Sequence, residues 1–256
     1  MGKKPKGTKG AQRITYKKVA KERGEVTLRQ AKKEGFVQYQ VRIDLLSPLH
    51  LGSGAGDVNM DMDVSHDSVG IPYFPAKRFK GLLYESALEI TEMAEISDGF
   101  ISRRTVEELF RHAAGADVQL VIHDFHLETE DEYEKMRGSW RYLEEKYPDI
   151  VSPSKVLGLY SKMRYFTSID AKTGVANPHS LHNMRVVEKT MRNGGEIFFT
   201  GCVEIRNAAT EHQRLFLLAL SNLRRAGLKR NRGMGRIRCS VNGKRIPILK
   251  LLEGEA

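Results

Sequence analysis

The sequence predicts an α+β fold whose core runs strand, helix, strand, strand, helix, strand. Three observations support this order. The segment "GFVQYQVRIDLLS" (35–47) alternates like a strand, "AKRFKGLLYESALEITEMAE" (76–95) has apolar residues at helical spacing, and a second amphipathic helix (210–226) precedes the closing strands. This is the ferredoxin-like, RRM-like βαββαβ pattern, here decorated with two insertions. The aromatic signature of RNA recognition modules is missing, so base stacking on the sheet is not expected.

Each further element has its own local signal. In the first strand, Val37, Tyr39, Val41 and Ile43 fall on one side. The other predictions from residue spacing are helices at 102–113 and 131–147 and strands at 118–128 and 162–169.

Glycines and apolar runs predict the elements near the C-terminus. The turn Asn193-Gly194-Gly195 predicts a hairpin between its flanking segments. Gly227 is expected to cap the preceding helix. "GRIRCSV" (235–241) and "KRIPILKLL" (244–252) predict two closing strands.

Charge divides the chain into an arm and a domain. Residues 1–34 contain twelve Lys or Arg against three Glu, which predicts a basic, largely disordered N-terminal arm. Residues 35–256 form the domain, with insertions at about 96–160 and 170–195. Within it, 128–134 is acidic, whereas 212–250 contains no Asp or Glu. One face of the domain is therefore expected to be basic.

Composition excludes several classes of protein. No apolar run approaches the length of a membrane span, so we expect a soluble protein without a membrane partner. Cys202 and Cys239 are the only cysteines in the sequence, so no disulfide framework is expected and a reducing cytoplasm fits. The formal net charge of +10 favours a polyanionic partner.

Two glycine-flanked basic segments are candidate RNA contacts. "GLKRNRGMGR" combines glycines with cations but lacks the ending of a Walker loop. "PAKRFKG" places cations in the first turn of a helix, where free N–H groups would also attract an anion. The candidate RNA-binding residues are Gly227, Lys229, Arg230, Arg232, Gly233, Gly235 and Arg236 in the first segment and Lys77, Arg78 and Lys80 in the second.

A third segment, "SPLHLGSGAGDVNMDMDVSHDS" (47–68), joins a glycine turn to a string of acids. His50, Gly52 and Ser53 are further RNA-binding candidates. The acids Asp57, Asp61, Asp63 and Asp67 are either solvated loop residues or oxygen ligands, which favour magnesium or manganese over zinc. His123 and His126 have no matching cysteine pair, so no zinc site is expected.

These segments together resemble the RAMP superfamily of CRISPR-associated proteins. The likeness includes "LSPLHLGSG", "DSVGIPYFPAKRFKG" and "GLKRNRGMGR" in that order, and "IDAKTGVANPHSLHNMRVV" resembles the family's thumb hairpin. The resemblance is strongest to the backbone subunit of type III or type III-derived effector complexes, which serve antiviral defense. It implies a cytoplasmic ribonucleoprotein in which copies multimerise head to tail along the guide CRISPR RNA, present it to complementary target RNA and contact other effector subunits.

The resemblance also implies roles for individual residues. Asp61 matches the family's catalytic, metal-binding aspartate, with Asp63 and Asp57 as alternates, and the cation would be Mg²⁺ or Mn²⁺. Lys77 and Arg78 stand where the family usually has small hydroxyl residues. The thumb candidates are Asn177, His179, Met184 and Arg185.

Three functions stay open at this point. The first is a backbone subunit that also cuts target RNA as a metal-dependent endonuclease. The second is a backbone subunit that only binds, with cutting left to a separate nuclease. The third is a CRISPR precursor-RNA processing endonuclease, for which His50 is the candidate catalytic group.

Overall fold

The computed structural model describes residues 36–54, 61–96, 101–111, 115–191 and 194–252. Its central sheet contains the strands β1 (Phe36–Leu45), β2 (Gln119–Ile122), β3 (His126–Leu127), β6 (Phe198–Arg206) and β7 (Ile237–Val241). Their order in the sheet is β2-β6-β1-β7, with β3 also paired to β6. All of these pairings are antiparallel, as the ferredoxin-like order requires. The predicted α+β, ferredoxin-like fold is confirmed.

The two faces of the sheet differ in polarity. Tyr39, Val41 and Ile43 of β1 point into the core, as the alternation predicts. The other face carries polar side chains such as Gln40 and Arg42, and the Arg42 guanidinium lies 3.5 Å from the centroid of the Phe198 ring. In the described part of the chain, helices therefore cover the apolar face of the sheet, and the other face is polar.

Three helices pack on the apolar face: α1 (Ala76–Ile96), α2 (Arg103–Arg111) and α5 (Thr210–Asn222). Buried Ser86 on α1 donates to the carbonyl of Ala219 on α5 at 2.7 Å. On α2, Glu108 lies 3.2 Å from His212 of α5. These polar contacts fix the helices to one another over a core that is otherwise apolar.

The segment between β3 and β4 forms two further helices. α3 (Glu130–Lys146) is capped by Thr129, whose backbone N–H donates to the Glu132 carboxylate at 3.4 Å in a capping box. α4 (Pro153–Tyr160) starts with a proline after Ser152, a typical helix start, and was not predicted from the sequence. The boundaries of the two predicted insertions stay a prediction, and the predicted N-terminal arm lies outside the described residues.

A second, two-stranded sheet projects from the core. β4 (Ser161–Phe166) pairs antiparallel with β5 (His182–Val187), and residues 161–187 are called the thumb hairpin below. The predicted hairpin at Asn193-Gly194-Gly195 is confirmed close to the turn, where Thr190 bridges Glu196 and Ile197 N–H donates to the Lys189 carbonyl at 2.9 Å. The longer strands on either side pair elsewhere, β5 with β4 and β6 with β1. In the turn itself, Met191 N–H donates to the Gly195 carbonyl at 2.7 Å. Asn193 lies outside the described residues.

Two local predictions are wrong at the C-terminal end. Residues 244–252 do not form a strand; they end in a short helix, α6 (Ile248–Leu252), which packs on α5 and buries Leu251. Gly227 does not cap α5, which ends at Asn222, five residues earlier. In the described part of the chain, no helix has the length and apolarity needed to cross a bilayer.

Candidate nucleic-acid interface

Three segments singled out from the sequence meet in one groove. They are residues 47–54, called the glycine segment, the start of α1 at 75–81, and residues 227–236, called the basic loop. A cavity of about 270 Å³ is lined by members of each, including Leu51, Lys77, Arg78 and Arg230. Convergence of distant segments in one groove is what a binding site on this fold requires.

The glycine segment is anchored to the thumb hairpin. Leu49 and Val187 exchange two main-chain hydrogen bonds of 2.8 Å. His50 is only 1% exposed, and its Nδ1 lies 2.7 Å from the carbonyl oxygen of Arg185, to which it donates as the neutral ring. Burial lowers the pKa of His50 below its ordinary value, so the ring stays neutral at pH 7. His50 thus supports the groove from beneath, and its own contact with RNA stays a prediction.

The glycines of the basic loop are used mainly for close packing within the chain. A Cβ at Gly227, where φ is +76°, would lie 2.3 Å from the His50 carbonyl oxygen. A Cβ at Gly235 would lie 1.9 Å from the Ala226 carbonyl oxygen. Gly233 faces open space. Gly227 and Gly235 therefore hold the loop against the glycine segment, and Gly233 alone of these three leaves its Cβ direction free for a ligand.

The start of α1 offers a ligand mainly charged side chains, and fewer free backbone N–H groups than expected. Ala76 N–H donates to the Asp124 carboxylate at 2.7 Å, and Arg78 N–H donates to the Pro75 carbonyl at 3.1 Å. The expected anion site of free N–H groups is therefore partly occupied by the chain itself. Arg78 also donates to the Gly52 carbonyl at 2.6 Å, while Lys77 and Arg78 remain exposed.

Lys229 links the basic loop to the thumb hairpin. Its ammonium lies 3.2 Å from the centroid of the Phe166 ring and 3.1 Å from Nε2 of His182. The His182 and Phe166 rings stack at 5.6 Å. Partial desolvation and the nearby Arg232 charge lower the pKa of Lys229. Phe166 was not predicted as a site residue, and nothing in its spacing could have marked it.

A larger cleft of about 880 Å³ continues from this groove between α1 and the basic loop. Arg224, Arg225, Arg230 and Arg232 line one side. The α1 side carries Glu85, whose carboxylate lies 3.4 Å from Arg230, and it carries Glu89 as well. The cleft is therefore basic along the loop and mixed along the helix, which suits a strand of phosphates following the loop side.

The thumb residues predicted from the sequence lie at two different levels. Met184 is fully buried at the root, beside Val186 and Met234, so it fills the core and is no wedge between bases. Arg185, also at the root, lies 2.9 Å from Asp63. Asn177 and His179 are exposed in the connecting loop, where His179 has a φ of +59°.

The outer part of the thumb hairpin exposes apolar side chains. Tyr165, Ile169, Val175 and Leu181 are each 57–70% exposed. Exposed apolar side chains that form one contiguous patch mark an interaction surface, whereas singly scattered ones need no partner.

The acids that follow the glycine segment do not converge. Asp61 is exposed, and its carboxylate accepts from Asn183 N–H at 2.7 Å while the Asn183 side chain accepts from Asp61 N–H at 2.9 Å. Asp63 pairs with Arg185. Asp67 accepts from Ile71 N–H at 2.8 Å and from the Tyr133 hydroxyl at 2.9 Å. Asp57 lies outside the described residues.

Only a particular kind of cation site fits these residues. Within the ranges that the structure describes, no three His, Cys, Asp or Glu side chains are grouped to hold a metal ion. Among the described acids of this segment, Asp61 is the exposed one, and its carboxylate accepts from Asn183 N–H, whereas Asp63 and Asp67 are engaged by Arg185 and Tyr133. Magnesium often takes one or two carboxylates and completes its shell with water and substrate phosphates. The residues fit a cation held in that way, and do not fit a cage built by the protein alone.

Comparison with known proteins agrees with the geometry. The profile of the RAMP superfamily matches residues 42–238, which include the glycine segment and the basic loop. The chain belongs to the RAMP superfamily. No curated protein matches its sequence.

Solved structures share the fold of this RAMP chain. A chain of the type III-B Cmr-beta complex bound to cognate target RNA superposes with a TM-score of 0.54 at 15% identity, covering 80% of this chain and 97% of that one. A chain of type III-B Cmr-beta in the apo state gives a TM-score of 0.55 at 14% identity, with coverages of 82% and 98%. At this identity the likeness establishes the fold.

Proposed function

We propose that this RAMP chain is an RNA-binding subunit of a type III CRISPR effector complex. In this proposal, copies assemble along the guide RNA and present it to complementary target RNA. The observation that carries the proposal is the meeting of the glycine segment, the start of α1 and the basic loop in one groove lined by Lys77, Arg78 and Arg230. The similar Cmr-beta structure with bound target RNA supports the same function.

Recognition in this groove is directed at the RNA backbone. Arg230, Arg232, Lys77 and Arg78 offer charge to phosphates, and Gly233 leaves room for close approach. The described lining of the groove contains no aromatic side chain on which a base could stack. A site of this kind binds any sequence, and base pairing with the guide then selects the target.

The first experiment measures the binding of single-stranded RNA as salt is varied. Each phosphate contact should contribute about −0.7 to the slope of log affinity against log salt. The Arg230→Ala/Arg232→Ala variant should bind all sequences more weakly and make the slope shallower by about 1.4. The matched control is Arg103→Ala, which changes an exposed side chain on α2 and should leave the slope unchanged. A wild-type affinity that is flat across the salt series would contradict the proposal.

We propose further that Asp61 supports cutting of the target RNA. Asp61 would hold a magnesium or manganese ion together with RNA phosphate, and that ion would stabilise charge at the reacting phosphate. The protein's own part is alignment, because the thumb hairpin can turn one nucleotide so that its 2′-hydroxyl faces the next phosphate in line. The alternative is a subunit that only binds RNA, and the ion pair that engages Asp63 favours it by leaving fewer carboxylates available.

Two variants separate these alternatives in an assembled guide complex. Asp61→Asn removes the charge but keeps an oxygen that can accept from Asn183 N–H, so it should abolish magnesium-dependent cutting and leave guide and target binding intact. Asn183→Ala removes the acceptor for Asp61 N–H and keeps the carboxylate, so cutting should persist. If the wild-type complex binds complementary RNA but never cuts it with magnesium or manganese, the binding-only function holds.

A further inference from the structure

A second basic surface adjoins the RNA groove, with which it shares Arg224 and Arg225. A groove of about 660 Å³ runs beside β7, which is an edge strand of the central sheet. The groove is rimmed by arginines: Arg224, Arg225, Arg236, Arg238 and Arg245. Its lining includes aliphatic side chains such as Leu46 and Ile248 and contains no Asp or Glu. Asp44 lies 3.5 Å from Arg238 and offsets part of one charge. We call this surface the arginine groove.

The complementary surface is on α3. Its first two turns carry the exposed acids Glu130, Asp131, Glu132 and Glu134, of which Glu134 lies 3.6 Å from Arg137 on the same helix. This acidic end of the helix is called the acidic helix face. The same helix exposes Tyr142 near its end. An acidic surface with an exposed aromatic side chain matches a groove with cationic rims and an aliphatic floor.

The acidic helix face is held rigidly. Tyr133 is buried among these acids, its hydroxyl donates to Asp67 at 2.9 Å, and its ring stacks on His126 at 4.1 Å. Tyr160, the last residue of α4, places its hydroxyl 3.0 Å from the sulfur of Met136 on α3. Because α3 is fixed in the free protein, little conformational entropy would be lost when it docks.

The two surfaces lie at opposite edges of the sheet. α3 follows β3 directly and packs against it, at the edge where β2 and β3 pair with β6. The arginine groove follows β7, on the far side of β1. The acidic helix face therefore cannot reach the arginine groove of its own copy, whereas it can reach that of a neighbour.

We propose that the arginine groove of one copy receives the acidic helix face of the next copy. The contact joins unlike surfaces, so repetition extends a chain of copies instead of closing a dimer. The proposal identifies the surfaces through which copies contact one another. It rests on the proposed function only because assembly along RNA would use these surfaces. A protein occupant is favoured because the lining combines arginines with aliphatic side chains such as Leu46 and Ile248, and an acidic helix with an exposed Tyr142 complements both.

The test is a charge exchange measured by sedimentation velocity. The groove variant is Arg238→Glu/Arg245→Glu, and both residues lie outside the RNA groove. The helix variant is Asp131→Lys/Glu134→Lys, which spares the Glu132 of the capping box. A third protein combines the four changes, and Arg103→Glu/Arg104→Glu on α2 is a control with the same change in net charge as the groove variant. Self-association is measured at low salt without RNA and again on RNA long enough for several copies.

Each single-surface variant should weaken association of copies by about tenfold or more. The four-change protein should regain it, because its exchanged charges again attract, and the α2 control should assemble like wild type. Normal assembly of the groove variant, or no recovery in the four-change protein, would overturn the proposal. A groove variant that loses binding to an RNA short enough for one copy, while the helix variant assembles normally, would make the groove an RNA site and would also overturn it. Because association is followed without RNA as well, a protein that fails to bind RNA would refute the proposed function and leave this test decisive.

Discussion

Replacement of Asp63 by Asn should destabilise the protein, whereas the same change at Asp61 should not. Nε of Arg185 and Oδ1 of Asp63 lie 2.9 Å apart but are not aligned for a hydrogen bond, so the contact is mainly one of charge. The Arg185 side chain is 13% exposed and that of Asp63 is 24% exposed. Removal of the carboxylate charge would leave a largely buried guanidinium without its counter-charge.

The expected loss follows from this burial. Breaking a fully buried ion pair from one side costs about 3–5 kcal/mol, and partial exposure reduces that penalty. We expect Asp63→Asn to lower the free energy of unfolding by about 2 kcal/mol. Since Asp63 Oδ1 also accepts from Val64 N–H at 2.7 Å, and an asparagine oxygen can keep that bond, the variant isolates the charge.

The assay is equilibrium unfolding in urea, with Asp61→Asn as the matched control. A loss of about 2 kcal/mol should shift the midpoint by roughly 1 M, given slopes of about 2–3 kcal/mol per M for a chain of this size. Replacement of the exposed Asp61 should lower the free energy of unfolding by less than about 0.5 kcal/mol. Arg185→Met combined with Asp63→Asn should recover part of the loss, because no unpaired charge is then buried. Equal midpoints for the two single variants would refute the reasoning.

Three further outcomes are expected. Gly227→Ala should lower the thermal midpoint more than Gly233→Ala, because both have a positive φ, worth about 1–2 kcal/mol, but only the Gly227 Cβ would lie 2.3 Å from a carbonyl oxygen; equal effects would contradict the packing described here. Met184→Ala should cost about 2–5 kcal/mol of stability by leaving a cavity at the thumb root, with the affinity for short RNA unchanged, and a selective loss of RNA affinity would argue for a base contact instead. Burial lowers the pKa of His50 and of His126 below 6.5, so the unfolded chain binds more protons than the folded one below that pH. The denaturation midpoint should therefore fall as the pH decreases, and it should fall less steeply in His50→Gln. An equal slope in that variant would show that His50 does not contribute.

The elements with strong periodicity could be predicted from the sequence alone. β1 and α1 have one apolar face and one polar face, so local pattern and tertiary burial agree, and both were predicted within a few residues. The residues at 244–252 show the limit, because a short apolar run fits a strand or a buried helix turn equally well. Its packing against α5 selects the helix, and no local signal reports that contact.

The candidate site was predictable as segments and not as side-chain geometry. Charge and glycine content marked the basic loop, and the structure brings it to the glycine segment through Gly227. The same composition could not show that Asp63 pairs with Arg185, a residue more than a hundred positions away in the chain. The roles of neighbouring acids therefore separate only when the tertiary contacts are known.

The apolar outer part of the thumb hairpin has a consequence for the free protein. Tyr165, Ile169, Val175 and Leu181 meet water in a single copy, and each is expected to be covered once the hairpin has a partner. An excess of this chain over its partners should therefore have limited solubility and be recognised by chaperones and proteases as incomplete. Balanced synthesis with the partner that covers the hairpin would then be a requirement for yield, in the cell and in purification alike.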